Sequence, residues 1–200
     1  MIGLIGAHRV GKTTLMNALA KGPFEAIPIS INQMQKNIGY DSSKQNYSFE
    51  ERMNIQRYLF NALDDYLYKK SRVPGPAVFR RQGAVITDRT PLDLIGYTLL
   101  SVTEPLTPSQ NEELMEYITD CINLTNRYYS DLILIQPGIE LVPDSKSAPC
   151  DEDMINKLNG IYTMYMLCPK VTARKRIVPS DMVSLDDRIA FVIENVRSLL

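Results

Sequence analysis

The chain has 200 residues, 44% of them hydrophobic and 22% charged, the usage of a globular protein with a full core rather than of a disordered or fibrous one. Its 22 basic and 23 acidic side chains leave a net charge of −1, so the total charge demands neither nucleic acid nor an anionic membrane as partner. Cys121, Cys150 and Cys168 are widely spaced and form no C-x-x-C pair, and there is a single histidine, which argues against zinc and for free thiols in a reducing compartment. No apolar stretch approaches the length of a membrane span, and "MIGLIG" has neither the charged nor the long apolar region of a signal peptide. The expectation is one cytoplasmic domain over residues 1–200, with no membrane partner.

Met1 to Ile5 is a short apolar run closed by Gly6, and from Thr13 the residues Leu15, Met16 and Leu19 recur at helical spacing until "KGP" stops them. The chain therefore opens as strand, loop, helix. "FEAIPIS" reads as a second strand and "INQMQKNIGY" as a short helix closed by Gly39. After the polar "DSSKQN", Ser48 and Glu51 have capping-box spacing, predicting a long helix to about Lys70. "SRVPGPAVFRRQG" is a loop by its prolines and glycines, "AVITD" a buried strand ending in an acid, and "PLDLIGYTLL" a helix with proline in its first turn.

Beyond "TEPLTPSQ", a long helix is expected from Asn111 to about Tyr129, with Leu114, Met115, Ile118, Cys121 and Ile122 on one side. "DLILIQP" is apolar without alternation, as in a parallel strand covered on both faces. A polar loop "GIELVPDSKSAPCDED", a helix from about Met154, a strand around "ARKRIVP" and a last helix from about Ser184, with Asp187 three positions on, complete the pattern. Alternating strands and helices define an α/β fold with a parallel sheet sandwiched by helices.

Gly6-Ala7-His8-Arg9-Val10-Gly11-Lys12-Thr13 fits G-x-x-x-x-G-K-[ST], the Walker A motif or P-loop, and it lies between a strand and a helix as that motif requires. The glycines let successive amides point at one anion, Lys12 neutralises the outer phosphates, and the Thr13 hydroxyl is a magnesium ligand. The helix opening there adds its positive end. Residues Gly6, Ala7, His8, Arg9, Val10, Gly11, Lys12, Thr13 and Thr14 are thus the candidate site for ATP. The loop binds through its backbone, so the His8 and Arg9 side chains are expected to face solvent.

Asp88 ends the third strand. In an open parallel sheet the ligand lies beyond the carboxyl ends of the strands, which brings this acid to the phosphate loop. It is placed to associate with magnesium, to take the proton of an attacking hydroxyl, or, with no chemical role, to cap the helix starting near Pro91. Arg89 is a fork-shaped donor for phosphate or for a substrate oxygen.

A P-loop combined with a strand ending Asp88-Arg89-Thr90 resembles the small P-loop nucleoside and nucleotide kinases, whose third strand ends in Asp-Arg or Glu-Arg. "DLILIQPGIELVPDSKS" and the later "SLDDRIAFVIENV" are similar to the branch holding the nicotinamide riboside kinase domain, thymidylate kinase-like enzymes and phage-encoded kinases. The resemblance implies a P-loop NTPase three-layer sandwich that moves the γ-phosphoryl of ATP, with Mg2+, to a nucleoside- or nucleotide-type acceptor. By it, Lys12, Asp88 and Arg89 are the catalytic set, Thr13 and Asp88 the metal side, and Arg89 the holder of the acceptor or its phosphate.

The same resemblance implies a lid-like loop over about 138–152 with Asp144 and with Lys146 facing the substrate, and it is compatible with a homodimer. Phage relatives that phosphorylate hydroxymethylated pyrimidine in DNA add DNA as an acceptor and a host cytoplasm as location. Ser145 and Lys146 stand where the family carries its lid glycine and arginine, and "SINQMQK" stands where nicotinamide riboside kinases carry Glu and Arg. In this architecture the helix after the second strand walls the acceptor pocket, which makes Arg52 and Gln56, one turn apart, candidates for reading the acceptor.

Tyr47, Tyr58 and Tyr97 are either stacking platforms or core and rim residues. Arg174, Lys175 and Arg176 read as a charged strand edge or as a phosphate contact. Lys69, Lys70, Arg72, Arg80 and Arg81 gather before "TDRT" and are the one hint of a polyanionic substrate. By family analogy Arg188 packs near adenine.

Two GTPase-like strings do not carry GTPase chemistry: Asn156-Lys157-Leu158-Asn159 lacks the final acid, and Asp93-Leu94-Ile95-Gly96 lies inside a helical pattern. The competing reading is a P-loop ATPase or nucleotide-dependent switch acting on DNA, with no phosphoryl transferred.

Overall fold

A computed structural model of the chain describes residues 1–40, 47–71, 84–141 and 151–196. Five strands, β1 (Ile2–Ile5), β2 (Glu25–Ile27), β3 (Val85–Thr87), β4 (Asp131–Ile135) and β5 (Arg174–Val178), form one parallel sheet in the order β2-β3-β1-β4-β5. Ile2 pairs with Ile86 and Asp131, and Asp131 in turn with Arg174. Every residue of β1 and β4 is buried, as the apolar runs without alternation require. The second strand is shorter than "FEAIPIS" suggested, because Pro28 follows Ile27 and has no N–H for the ladder.

The helices are α1 (Lys12–Leu19), α2 (Ile31–Asn37), α3 (Phe49–Ser71), α4 (Pro91–Ser101), α5 (Pro108–Tyr128), α6 (Glu152–Leu167) and α7 (Leu185–Val196). α1 packs with α7, while α3, α4, α5 and α6 pack on one another, so the sheet lies between helices as the alternation predicts. Caps set several boundaries. The Ser48 hydroxyl accepts from the Glu51 amide and the Glu51 carboxylate accepts from the Ser48 amide, the reciprocal box read in the sequence.

α5 begins three residues before the expected Asn111. Thr107 and Gln110 form its capping box and Pro108 is its first residue, a place where proline's missing N–H costs nothing. Met115 is 51% exposed and leaves the expected apolar face, whose buried positions are Leu114, Tyr117, Ile118, Cys121 and Ile122.

One apolar cluster runs from β1 and β4 through Leu15, Leu63, Ile95, Tyr117, Leu158 and Val192, joining the helices to the sheet. Because β1 has β3 on one side and β4 on the other, the chain reverses its direction of travel across the sheet at β1. Loops leaving the carboxyl ends of β1 and β3 therefore open a crevice at the position where such sheets bind ligands.

Candidate functional site

The loop after β1 curls because two of its glycines take backbone angles closed to most side chains. Gly6 has φ 150° and Gly11, which caps α1, has φ 88°. Lys12 folds back over the loop, and its Nζ donates to the carbonyls of Gly6 and Ala7 at 2.5 and 2.7 Å. Burial pushes the Lys12 ammonium down to about 7, Arg89 adds to that, and Asp93 and Asp88 oppose it.

Asp88 follows β3 and is 6% exposed. Its Oδ2 accepts from the Thr13 hydroxyl at 2.7 Å and its Oδ1 from the Ile29 amide at 3.0 Å. One carboxylate thus joins the phosphate loop, the end of β3 and the segment after β2. The turn is fixed from below: buried Thr87 donates to the Arg89 carbonyl at 2.8 Å, and the buried Tyr129 hydroxyl donates to the same oxygen at 3.2 Å. On the other side, the Tyr66 hydroxyl of α3 donates to the Pro28 carbonyl at 2.9 Å. The helix cap near Pro91 is Thr90 rather than Asp88, which leaves the Asp88 carboxylate to the loop.

Arg89 is held by Asp93, one turn on. The Asp93 Oδ1 accepts from Arg89 Nη1 at 3.1 Å while Oδ2 accepts from the Thr90 amide at 2.8 Å and faces the Thr90 hydroxyl at 3.1 Å. Asp93 is 1% exposed, so a buried carboxylate both caps α4 and orients a charged group at the site. Burial alone lowers the Arg89 pKa, but Asp93 foremost, with Tyr97 and Tyr162 behind it, raises it further than that, and the net shift is upward.

In the sequence Asp93 stands out only as the acid of the GTPase-like string Asp93-Leu94-Ile95-Gly96. The signal lay in its spacing, three positions after a threonine and four after an arginine, which is that of both a cap and a helical ion pair.

Lys12, Thr13, Asp88 and Arg89 are therefore brought to one crevice. Arg52 and Gln56 are elsewhere on α3. Gln56 lies ten residues and Arg52 fourteen residues before Tyr66, about 15 and 21 Å along a helix rising 1.5 Å per residue. The Arg52 Nε donates to the Tyr47 carbonyl at 2.9 Å, and Gln56 Oε1 accepts from the Tyr117 hydroxyl at 3.2 Å. With Gln35, Tyr40, Tyr47 and Ser101 they line a cavity of about 170 Å³, and Arg52 also borders a larger cleft of about 570 Å³ next to Glu51, Thr98 and Glu104.

His8 is 7% exposed, which corrects the expectation of a solvent-facing side chain: the curl that turns the loop's amides to one side takes His8 inside. Arg9 is half-buried at φ 64°. Tyr47 stacks on Tyr40 at 5.4 Å, Tyr58 is 39% exposed, and Tyr97 is half-buried near Arg89.

Lys69 pairs with Asp65, and Lys70 lies over the Tyr66 ring. Arg174 pairs with Asp131, Lys175 donates to the Cys168 carbonyl and Arg176 to Asn195, all on the strand before its carboxyl end, which makes the triplet structural. Arg188 is buried against the Val10 carbonyl of the loop. Asp144, Ser145, Lys146, Arg72, Arg80, Arg81 and Cys150 fall outside the described residues, as does most of the expected lid.

No cluster of three or more His, Cys, Asp or Glu among the described residues is arranged to hold a metal. Thr13 and Asp88 are nonetheless an oxygen pair of the kind magnesium uses when substrate phosphates complete its shell. No helix among the described residues is long and apolar enough to cross a membrane.

Sheet, loop and crevice define a P-loop α/β fold of the nucleoside kinase type. No family model and no curated protein sequence matches the chain. Among solved structures it is similar to the NadR protein in complex with NR, with a TM-score of 0.67 and 15% identity over 96% of this chain and 48% of that one. It thus spans about half the length of NadR. It is also similar to deoxyadenosine kinase from M. mycoides, with bound dCTP (TM-score 0.64, 14% identity) and with products dCMP and dCDP (TM-score 0.61, 16% identity), covering 98% of both chains in each case.

Proposed function

We propose that the protein is an ATP-dependent phosphotransferase that moves the γ-phosphoryl of ATP to a hydroxyl or phosphate of a nucleoside- or nucleotide-type acceptor. The observation that carries this reading is the 2.7 Å bond between the Thr13 hydroxyl and Asp88, which sets a strand-end acid against the hydroxyl of a complete phosphate loop with Arg89 beside it. In this reading the loop amides and Lys12 hold the triphosphate, and Thr13 and Asp88 hold magnesium, whose charge offsets that of the phosphates. Arg89 faces the acceptor end of the transfer. A bond forms from the acceptor oxygen to the γ-phosphorus, the bond to the β–γ bridging oxygen breaks and ADP leaves, and a hydroxyl acceptor gives up its proton to solvent as the new phosphate ester forms. The enzyme's contribution is to position the two substrates and gather positive charge.

Of the two roles open to Asp88, the metal-side one fits the geometry better, since Oδ2 already faces the Thr13 hydroxyl and Oδ1 is held by the Ile29 amide.

The described walls around Arg52 carry that one arginine beside Glu51 and Glu104, a mixed lining that favours a free nucleoside-type acceptor over polyanionic DNA. An acceptor that also touches Gln56 reaches a part of α3 about 15 Å along the helix from Tyr66. The hydroxymethylated pyrimidine of phage DNA is the more specific variant of the proposal, and a free cytoplasmic enzyme, monomer or homodimer, suits either acceptor.

The test is a panel of free nucleosides, nucleoside monophosphates and hydroxymethylpyrimidine DNA incubated with γ-labelled ATP and magnesium. Label should pass to one class of acceptor, and Asp88→Asn should keep ATP binding while losing transfer. Label released only as free phosphate, with stimulation by DNA, favours the ATPase reading instead.

A further inference from the structure

Arg188 lies in the first turn of α7 and is 2% exposed. A guanidinium removed from water is destabilising unless a counter-charge meets it, and among the described residues no carboxylate pairs with this one. Burial lowers its pKa, and no acid among the described residues acts in the other direction. Its Nε donates to the Met182 carbonyl at 2.6 Å and Nη1 to the Val10 carbonyl at 2.8 Å. Nη2 is buried with no hydrogen-bond partner among the described residues. The group is packed directly on the phosphate loop: a Cβ added to Gly11 would stand 3.4 Å from Nη1 and 3.1 Å from Ile139 Cδ1.

The Val10 carbonyl and the Gly11 amide belong to one planar trans peptide unit, so they point in opposite directions. Fixing the oxygen on the α7 side turns the N–H to the other side of the loop. We propose that Arg188 is a positioning residue for polyphosphate: it locks the Val10–Gly11 peptide with its N–H aimed into the cup, and its positive charge acts on the bound triphosphate through that peptide. This assigns Arg188 to the phosphate end of the nucleotide and not to adenine, where family analogy puts it. Its charge, which no carboxylate among the described residues pairs, adds through that peptide to the attraction for the phosphates.

The inference rests on the loop being a nucleotide site, and the experiment separates the two. Affinities for MgATP and for inorganic tripolyphosphate are measured by calorimetry on the wild type, Arg188→Met and Lys12→Ala, with circular dichroism on each variant. Arg188→Met should weaken both ligands by the same factor, about tenfold or more, as expected for a lost hydrogen bond from a charged group. A loss confined to ATP, which reports a base contact, overturns the proposal, as does unchanged binding of both ligands by a folded variant. Should Arg188→Met not fold, Arg188→Lys decides. An equal loss for the two ligands supports the proposal, and a loss confined to ATP, or no loss, overturns it. If Lys12→Ala leaves tripolyphosphate binding intact, the nucleotide reading fails, whatever Arg188 does.

Discussion

Lys12 makes triphosphate binding depend on pH in a direction the structure fixes. Burial brings its pKa down to about 7 from an ordinary 10.5, and a bound triphosphate supplies the negative charge that restores the proton. The bound state therefore holds more protons than the free state above pH 7, and binding must weaken as pH rises. If the bound value returns to the ordinary one, binding draws in about 0.1 proton at pH 6, about 0.5 at pH 7 and about 0.9 at pH 8, and affinity falls about fiftyfold from pH 7 to pH 9.

Calorimetry in buffers of different ionisation enthalpy reads that uptake directly, and at pH 8 and above the phosphates themselves are fully ionised. Lys12→Arg, whose guanidinium does not titrate, should abolish the uptake. Affinity that stays level between pH 7 and 9, or no proton drawn in at pH 8, refutes the reasoning. The same shift acts on folding. Between about pH 7 and 10.5 the unfolded chain holds the Lys12 proton and the ligand-free folded protein does not, so this lysine makes the folded state more stable as pH rises through that window.

Asp93→Asn should lower the rate of transfer about tenfold by releasing Arg89, and in an Arg89→Met background the same change should cost little more, since coupled residues are not additive; full additivity in that cycle means Asp93 does not act through Arg89. Gly96→Ala should destabilise by about 1–3 kcal/mol, as overpacked cores do, because the added methyl would stand 2.5–2.7 Å from the Tyr162 ring and hydroxyl. Tyr162→Leu in the same chain should recover most of the lost melting temperature, and an unchanged melting temperature in Gly96→Ala contradicts the packing described.

Much of this was legible in the sequence because the features were local. The phosphate loop is contiguous, β4 announces itself by lost alternation, and Ser48 and Glu51 carry their cap in four residues. What was missed depends on contacts between distant segments or on two signals read as one. Pro108 looked like an interruption and is a first helical residue, which only the Thr107–Gln110 box reveals. His8 is buried by the curl of a loop whose residue types give no hint of which way its side chains turn. Asp93 hides inside an apolar helix, and the sequence offers Arg89 as a catalytic and acceptor-holding group without the partner that orients it. Arg188 meets a carbonyl 178 positions away, a pairing no periodicity encodes.

The most direct measurement of the central claim is the ratio of ADP formed to acceptor phosphorylated, followed with and without acceptor at saturating MgATP. The account predicts negligible ADP without acceptor and one phosphorylated acceptor per ADP with it, both lost in Lys12→Ala. ADP formed at the same rate with no acceptor present, accompanied by free phosphate in equal amount, contradicts it.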